Sequence, residues 1–314
     1  MRPALSIFAL TAALAALSAS LAGASERMEK KLKLAPGGHF RLETDLGAVT
    51  VTGSAEPDVA LVVTSRHDLD DLLTFRFDES PSSVVVTARR KHHFGWFDSG
   101  HRVQYEIRVP AETAVDVDTS GGKIVVSGLR SRAKLDTSGG GIDVRDLVGD
   151  LEADTSGGGI HLADIKGRMR VETSGGGITG SRLDGPLAAD TSGGSIDLDR
   201  VSGDIKASSS GGGITILEAG GRVEAETSGG GIEATFARGN ARGGSLETSG
   251  GGIRVSVDPE AGLEIDAHGN SVKTELPLKV LGEISRSSLR GTLGSGGAKL
   301  HLRTSGGGVV IQGI

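Results

Sequence analysis

The chain reads as an all-β protein, a single-chain parallel β-solenoid of about 18 residues per coil. Three observations lead there. Thr-Ser-Gly-Gly, or a one-residue variant, starts at Thr119, Thr137, Thr155, Thr173, Thr191, Ser209 and Thr227, always 18 residues apart; further copies start at Thr248 and Thr304. Between these signatures, apolar and polar residues alternate with period two, which puts successive side chains on opposite faces of a strand. The glycines of the repeats sit at fixed phase, as turn residues do and low-complexity residues do not.

One coil shows the logic. Leu151, Ala153 and Thr155 face inward and alternate with Glu152, Asp154 and Ser156. Gly157-Gly158-Gly159 turns the chain, a role expected to draw on the freedom of Gly at positive φ. Ile160, Leu162 and Ile165 then point inward, and Gly167 marks a second corner. The columns persist: Ile124, Ile142, Ile160, Ile178, Ile196, Ile214, Ile232 and Ile253 follow the Gly turn, and Leu129, Leu147, Ile165, Leu183 and Val201 form a later inward column. Aromatic residues are 3% of the chain, which suits a narrow aliphatic core. Nine such coils at the inter-strand spacing would make a rod of roughly 40 Å.

The elements follow in order. Residues 1–24 read as a cleaved signal peptide, with Arg2, an apolar stretch from Ile7 to Leu21 and the small residues Ala22-Gly23-Ala24 before the cut. Residues 25–111 read as an N-terminal irregular β region or cap, within which residues 43–53 form a degenerate coil with Gly47 at its turn and Val49 and Val51 inward. Residues 112–257 are the regular coils. Residues 258–314 hold an irregular segment, where Pro259 and Pro277 break the phase, and a C-terminal coil. The expected mature chain is exported to the periplasm, the cell surface or the medium, and has no transmembrane segment.

Composition narrows the partners. There is no Cys, so export brings no disulfide. Net charge is -6, and removing the leader with its single Arg makes it -7. That argues against nucleic acid, which wants a basic face.

Two surface features are candidates for function. An acidic column, Asp118, Asp136, Asp154, Glu172, Asp190 and Glu226, would stack carboxylates about 5 Å apart. Such neighbours repel by roughly 1 kcal/mol per pair in water, so something should offset them. One reading is a ladder of divalent cations, Ca²⁺ above all, with the adjacent column from Ser120 to Ser228 adding oxygens. The other is that the acids accept backbone N–H groups at the Gly turn, with screening by salt. A neighbouring column of mixed sign (Asp116, Lys134, Glu152, Arg170, Lys206, Glu224) supplies counter-charge. The second feature is the one basic-aromatic cluster, Arg90, Lys91, His92, His93, Trp96 and Phe97, read either as a contact loop for a partner or as a cap lid. The inward Thr column is expected to form a hydroxyl ladder in which stacked copies satisfy one another. The residues point to no catalytic group and to no cofactor apart from the cation reading.

The segments Phe40-Arg41-Leu42 with residues 47–53, Val103 to Pro110, and Leu289 to Gly297 with residues 300–311 resemble the opening, entry strand and closing segment of a bacterial β-strand-repeat family of candidate adhesins. That family is of unknown function and related to head-GIN-type adhesin domains. The resemblance implies a right-handed parallel β-helix and brings no catalytic residue. Three functions follow as expectations. The first is an exported, non-enzymatic surface or envelope binding module of the adhesin kind, with a surface polymer or envelope protein as partner. The second is a periplasmic structural scaffold or assembly module. The third is a polysaccharide-active enzyme, which the short uniform turns disfavour.

Overall fold

The computed structural model describes residues 26–91, 103–281 and 285–314. Among the described residues there are 29 strands and one short helix. The strands form two long sheets, of 14 and 15 strands, that face each other across a thin aliphatic core. Each tier of the stack gives one strand to each sheet. The type tier pairs Leu151–Thr155 in one sheet with Ile160–Lys166 in the other. Stacking is parallel and in phase with the 18-residue repeat: Leu151 lies on Met169, Thr155 on Thr173, and Ile160 on Ile178. The Ile column that follows the Gly turn is at most 2% exposed from Ile124 to Ile253.

The two corners are built differently. The Gly-Gly-Gly corner was expected to need positive φ, and among the described residues it does not use it. Its second glycine is required by crowding instead. A Cβ on Gly158 would lie 2.3 Å from the Gly140 carbonyl oxygen, and one on Gly176 would lie 2.1 Å from that of Gly158. Positive φ appears at the other corner. Between the inward residues Val144 and Leu147 lie two outward ones, so strict alternation fails. Asp146 absorbs the extra residue in the left-handed region, at φ 53°, as a bulge does. Gly128, Asp164, Arg182, Arg200 and Glu218 repeat this in the same column. For the Arg and Glu members this is an uncommon conformation, over-determined by the ladders on either side.

Thr hydroxyls tie the Gly corner together. Thr155 Oγ1 donates to the Gly140 carbonyl of the preceding tier (2.7 Å) and accepts the N–H of Gly158 in its own turn (3.4 Å). Thr173, Thr191, Ser209, Thr227, Thr248 and Thr304 repeat both bonds. The expected hydroxyl-to-hydroxyl ladder is therefore corrected: each hydroxyl bridges backbone to backbone, because the Gly corner brings a carbonyl and an N–H within its reach.

At both ends, spatial order departs from chain order. The coil of His39–Thr44 and Ala48–Ser54 is not outermost. It lies between the regular coils, whose first strands are Ala114–Thr119 and Ile124–Ser127, and a tier made of Ser83–Arg90 and Val103–Pro110. At the far end, the last coil in sequence, Ala298–Thr304 with Gly308–Gly313, is inserted before the tier of Leu263–His268 and Ser271–Thr274. Counted this way the stack has twelve tiers rather than nine. Antiparallel strands close it: Asp58–Ser65, Glu26–Lys33 and Leu73–Ser80 at one end, Ser288–Leu293 and the two-residue Lys279–Val280 at the other. Of the four edge strands, Glu26–Lys33 is charged and Ser271–Thr274 and Lys279–Val280 are short, while Leu73–Ser80 carries Arg76, Asp78 and Glu79 among its exposed residues; charge and shortness both discourage edge-to-edge pairing.

The aliphatic core gains aromatic rings where the pattern breaks. Phe40 and Tyr105 are fully buried near the N-terminal end. Phe236 is fully buried where the repeat lengthens to 21 residues, and it pairs with Ala219 across a register shift. There the buried Asn240 donates to the carbonyls of Ala219 (2.6 Å) and Gly221 (2.9 Å), tying the longer loop to the preceding tier. No helix among the described residues is long and apolar enough to cross a membrane.

Candidate functional site

The outward acids form one continuous column. Strand pairing places Asp118 beside Asp136, Asp136 beside Asp154, then Glu172, Asp190, Ser208 and Glu226 in turn. Pairing also adds two acids that the spacing argument missed, Glu43 at one end and Glu247 at the other. Their signal was an acid directly before the column Thr, in Glu43-Thr44 and Glu247-Thr248. The 18-residue count hid it, because neither lies at that interval from its neighbour. Between the acid and Ser columns runs an open trough. One stretch, of about 370 Å³, is lined from Asp118 to Ser174; the next, of about 260 Å³, continues from Glu172 to Ser228.

The electrostatics of the column change along its length. Burial pushes the carboxyls of Asp136 and Asp154 above the usual carboxylate range; neighbouring acids add to this, while Lys134 and Arg170 oppose it. Relief comes at particular tiers: Arg170 reaches Glu172 at 3.4 Å, and at the N-terminal end Arg41 (2.8 Å) and Arg89 (2.7 Å) both pair with Glu43. Lys134 is taken by Glu152 at 3.1 Å. The expected acceptance of Gly-turn N–H groups by these acids is corrected, since the Thr hydroxyls already hold those groups. The acids stand one above another rather than around a point. Among the described residues, no group of three or more His, Asp or Glu side chains converges into a metal-sized cluster. The trough thus offers acceptors and hydroxyls repeated at the tier spacing, a surface for multivalent polar contact.

A family model described as Toastrack DUF4097 matches residues 40–312, from the first intercalated coil to the last. The chain belongs to that family. The Toastrack match covers the regular coils and most of both ends of the stack, leaving out the edge strand Glu26–Lys33. A comparison with curated proteins finds no match. Among solved structures, the chain is similar to a candidate adhesin from Bacteroides fragilis NCTC 9343, at 13% identity over 93% of this chain and 99% of that one, with a TM-score of 0.38. It is similar to a candidate adhesin from Parabacteroides distasonis ATCC 8503, at 12% identity over 92% and 98%, TM-score 0.35. A candidate lipid-binding protein from the same organism matches at 12% identity over 93% and 97%, TM-score 0.31.

Of the basic-aromatic cluster, two residues are described. The Arg90 N–H donates to Asp45 Oδ2 at 2.8 Å, and the Lys91 ammonium donates to the Asp70 carbonyl. Both side chains are exposed at the end of Ser83–Arg90. His92, His93, Trp96 and Phe97 lie outside the described residues, as do residues 1–24.

Proposed function

We propose that this Toastrack chain is an exported, non-enzymatic binding module of the bacterial envelope, of the adhesin kind. The observation that carries the reading is the repetition of one polar trough over successive tiers, which presents the same acid, hydroxyl and spacing many times to a polymer or a rod-like partner. The leader-like opening of the sequence supports export, and the acidic balance supports a partner other than nucleic acid. The uniform short turns of the regular coils leave no long loops to wall a catalytic cleft.

The test is protease or impermeant amine labelling of intact cells. Modification without lysis is the expected result. Protection until the outer membrane is opened would replace this reading with a periplasmic scaffold. Failure to leave the cytoplasm would remove both.

A further inference from the structure

We propose that a notch centred on Pro186 and Ala188 binds an anionic saccharide unit, a sugar ring carrying a carboxylate or a phosphate. This deepens the binding-module reading and rests on it. The notch lies beyond the second corner, in the same sheet as the acid column but two strand positions away from it. Two outward columns run there. One stacks Arg168, Pro186, Asp204 and Arg222 at the corner; the other stacks Arg170, Ala188, Lys206 and Glu224 on the strands. Every residue in both is long or charged except Pro186 and Ala188, which fall on one tier. The result is a cleft of about 530 Å³ with an apolar floor and a charged rim.

The rim is positive where the chain as a whole is negative. Arg168, Arg170, Lys206 and Arg222 face the cleft against two acids, Asp204 and Glu224. Both acids are already engaged: Glu224 pairs with Arg222 (3.2 Å), and Asp204 accepts the Arg222 N–H (2.9 Å) and lies 3.5 Å from Arg242. Arg170 pairs with Glu172 at 3.4 Å. Arg168 and Lys206 make no ion pair among the described residues, and they stand one tier to either side of the gap, about 10 Å apart along the stack. The corner is fixed as well, because Asp150 accepts the Arg168 N–H at 3.0 Å. An anion entering the gap would meet two free cations held on rigid backbone, the guanidinium suiting a planar carboxylate or a phosphate.

The floor selects the rest of the ligand. The Pro186 ring and the Ala188 methyl offer an apolar floor on which one face of a sugar ring can stack. An extended acidic peptide is disfavoured, because Leu187–Thr191 is paired on both sides and has no free edge to receive a strand. A long polyanion is disfavoured by the acid column that shares the sheet, Glu172 above all. A single charged sugar avoids both objections.

The experiment is NMR titration of the purified chain with glucuronate, glucose 6-phosphate, neutral glucose and inorganic phosphate. Shifts confined to Pro186, Ala188 and the rim side chains around them are expected with glucuronate, glucose 6-phosphate or both, and the two arms separate carboxylate from phosphate. Arg168→Ala with Lys206→Ala is expected to weaken this binding by about tenfold. Ala188→Glu, which fills the notch with a carboxylate, should abolish it, while Glu56→Gln, in an exposed loop at the N-terminal end of the stack, should leave it unchanged. Binding of inorganic phosphate as tight as that of glucose 6-phosphate, equal binding of glucose, no binding of either anionic sugar, or indifference to the double substitution would overturn the proposal. None of those results bears on whether the protein reaches the cell surface, so the two readings fail separately.

Discussion

The middle of the molecule and its ends solve the same problem in opposite ways. In the middle, each tier rests on the tier that precedes it in sequence, 18 residues back, and the same side chains recur at the same height. At the ends, a coil from each terminal region is inserted one tier inward, and a segment from further inside the sequence is placed outside it. The Thr–Gly corner shows the consequence. In the middle, each Thr hydroxyl finds its carbonyl on the neighbouring tier. At the N-terminal end, Thr44 bonds instead to the buried Tyr105 hydroxyl (2.9 Å) and the Leu46 carbonyl (2.8 Å). Burial pushes the Tyr105 hydroxyl far above its ordinary range, so it stays a neutral partner. At the C-terminal end, Asn270 closes the Gly column, its N–H on the Gly307 carbonyl and its Nδ2 on that of Gly306, both at 2.9 Å. A repeat is cheap to extend but has no natural stop, and the stop here is made of contacts between residues distant in sequence.

The largest effect should come from removing an inserted coil. Deleting residues 298–314 takes from the tier at Leu263–His268 and Ser271–Thr274 its parallel neighbour in both sheets. Loss of a cooperative melting transition, with aggregation, is expected. Excising one central repeat, residues 155–172, joins Asp154 to Thr173 in register and should leave a soluble chain one tier shorter with a cooperative transition. Equal tolerance of the two deletions, read by circular dichroism and light scattering, would break the contrast.

Next come the corners. Gly158→Ala sets a methyl against the Gly140 backbone and should cost about 3 kcal/mol or more. Gly121→Ala, where nothing lies within 4 Å of the added carbon, should fall within about 0.5 kcal/mol of the parent. Thr155→Val removes one donor and one acceptor from the corner and should cost about 1–3 kcal/mol in denaturant unfolding. Thr44→Val should cost a similar amount by orphaning the Tyr105 hydroxyl, the same loss reached at the other kind of site.

The smallest effects are electrostatic and of opposite sign in the two regions. Asp136 and Asp154, in the middle, have carboxyls raised above their unfolded value, first by burial and then by neighbouring acids. Their cost to the fold is fully present above the raised value and is relieved as pH falls through it. At the C-terminal end, burial works to raise Asp266, but Arg290 and His268 outweigh it and hold the carboxyl low. Its contribution is present at neutral pH and is lost as pH falls through the depressed value. Asp154→Asn should therefore stabilise the protein at neutral pH by about 0.5 kcal/mol after screening. Asp266→Asn should destabilise it, and both differences should shrink in acid. Melting temperatures across pH test the pair, and a matching sign at neutral pH would contradict the account.

The middle was legible in the sequence because its information is local. The Ile column from Ile124 to Ile253, the corner glycines at Gly149 and Gly167 and the acid column all repeat at one interval, and each lies in the structure where that interval puts it. What the interval could not carry was chemistry that depends on the neighbouring tier. The crowding at Gly158 and the carbonyl that captures Thr155 both belong to residue 140, and alternation alone is silent on which backbone groups meet. The coils around Val49 and Leu302 were readable as coils, but their places in the stack were not, because pairing between distant segments sets them. The notch at Pro186 was hidden for a related reason. It is an absence in two columns at once, and it appears only when the tiers are stacked.

The most direct test of the central claim, that inserted coils lock the ends, is native-state amide hydrogen exchange resolved by tier. Ala298–Thr304 is close to the end of the chain but one tier inside the stack. The account predicts that its amides are protected like those of Leu151–Thr155, while Ser271–Thr274 and Glu26–Lys33 at the sheet edges exchange first. Exchange of Ala298–Thr304 as fast as that of Ser271–Thr274 would contradict it, since protection would then follow position in the chain rather than position in the stack.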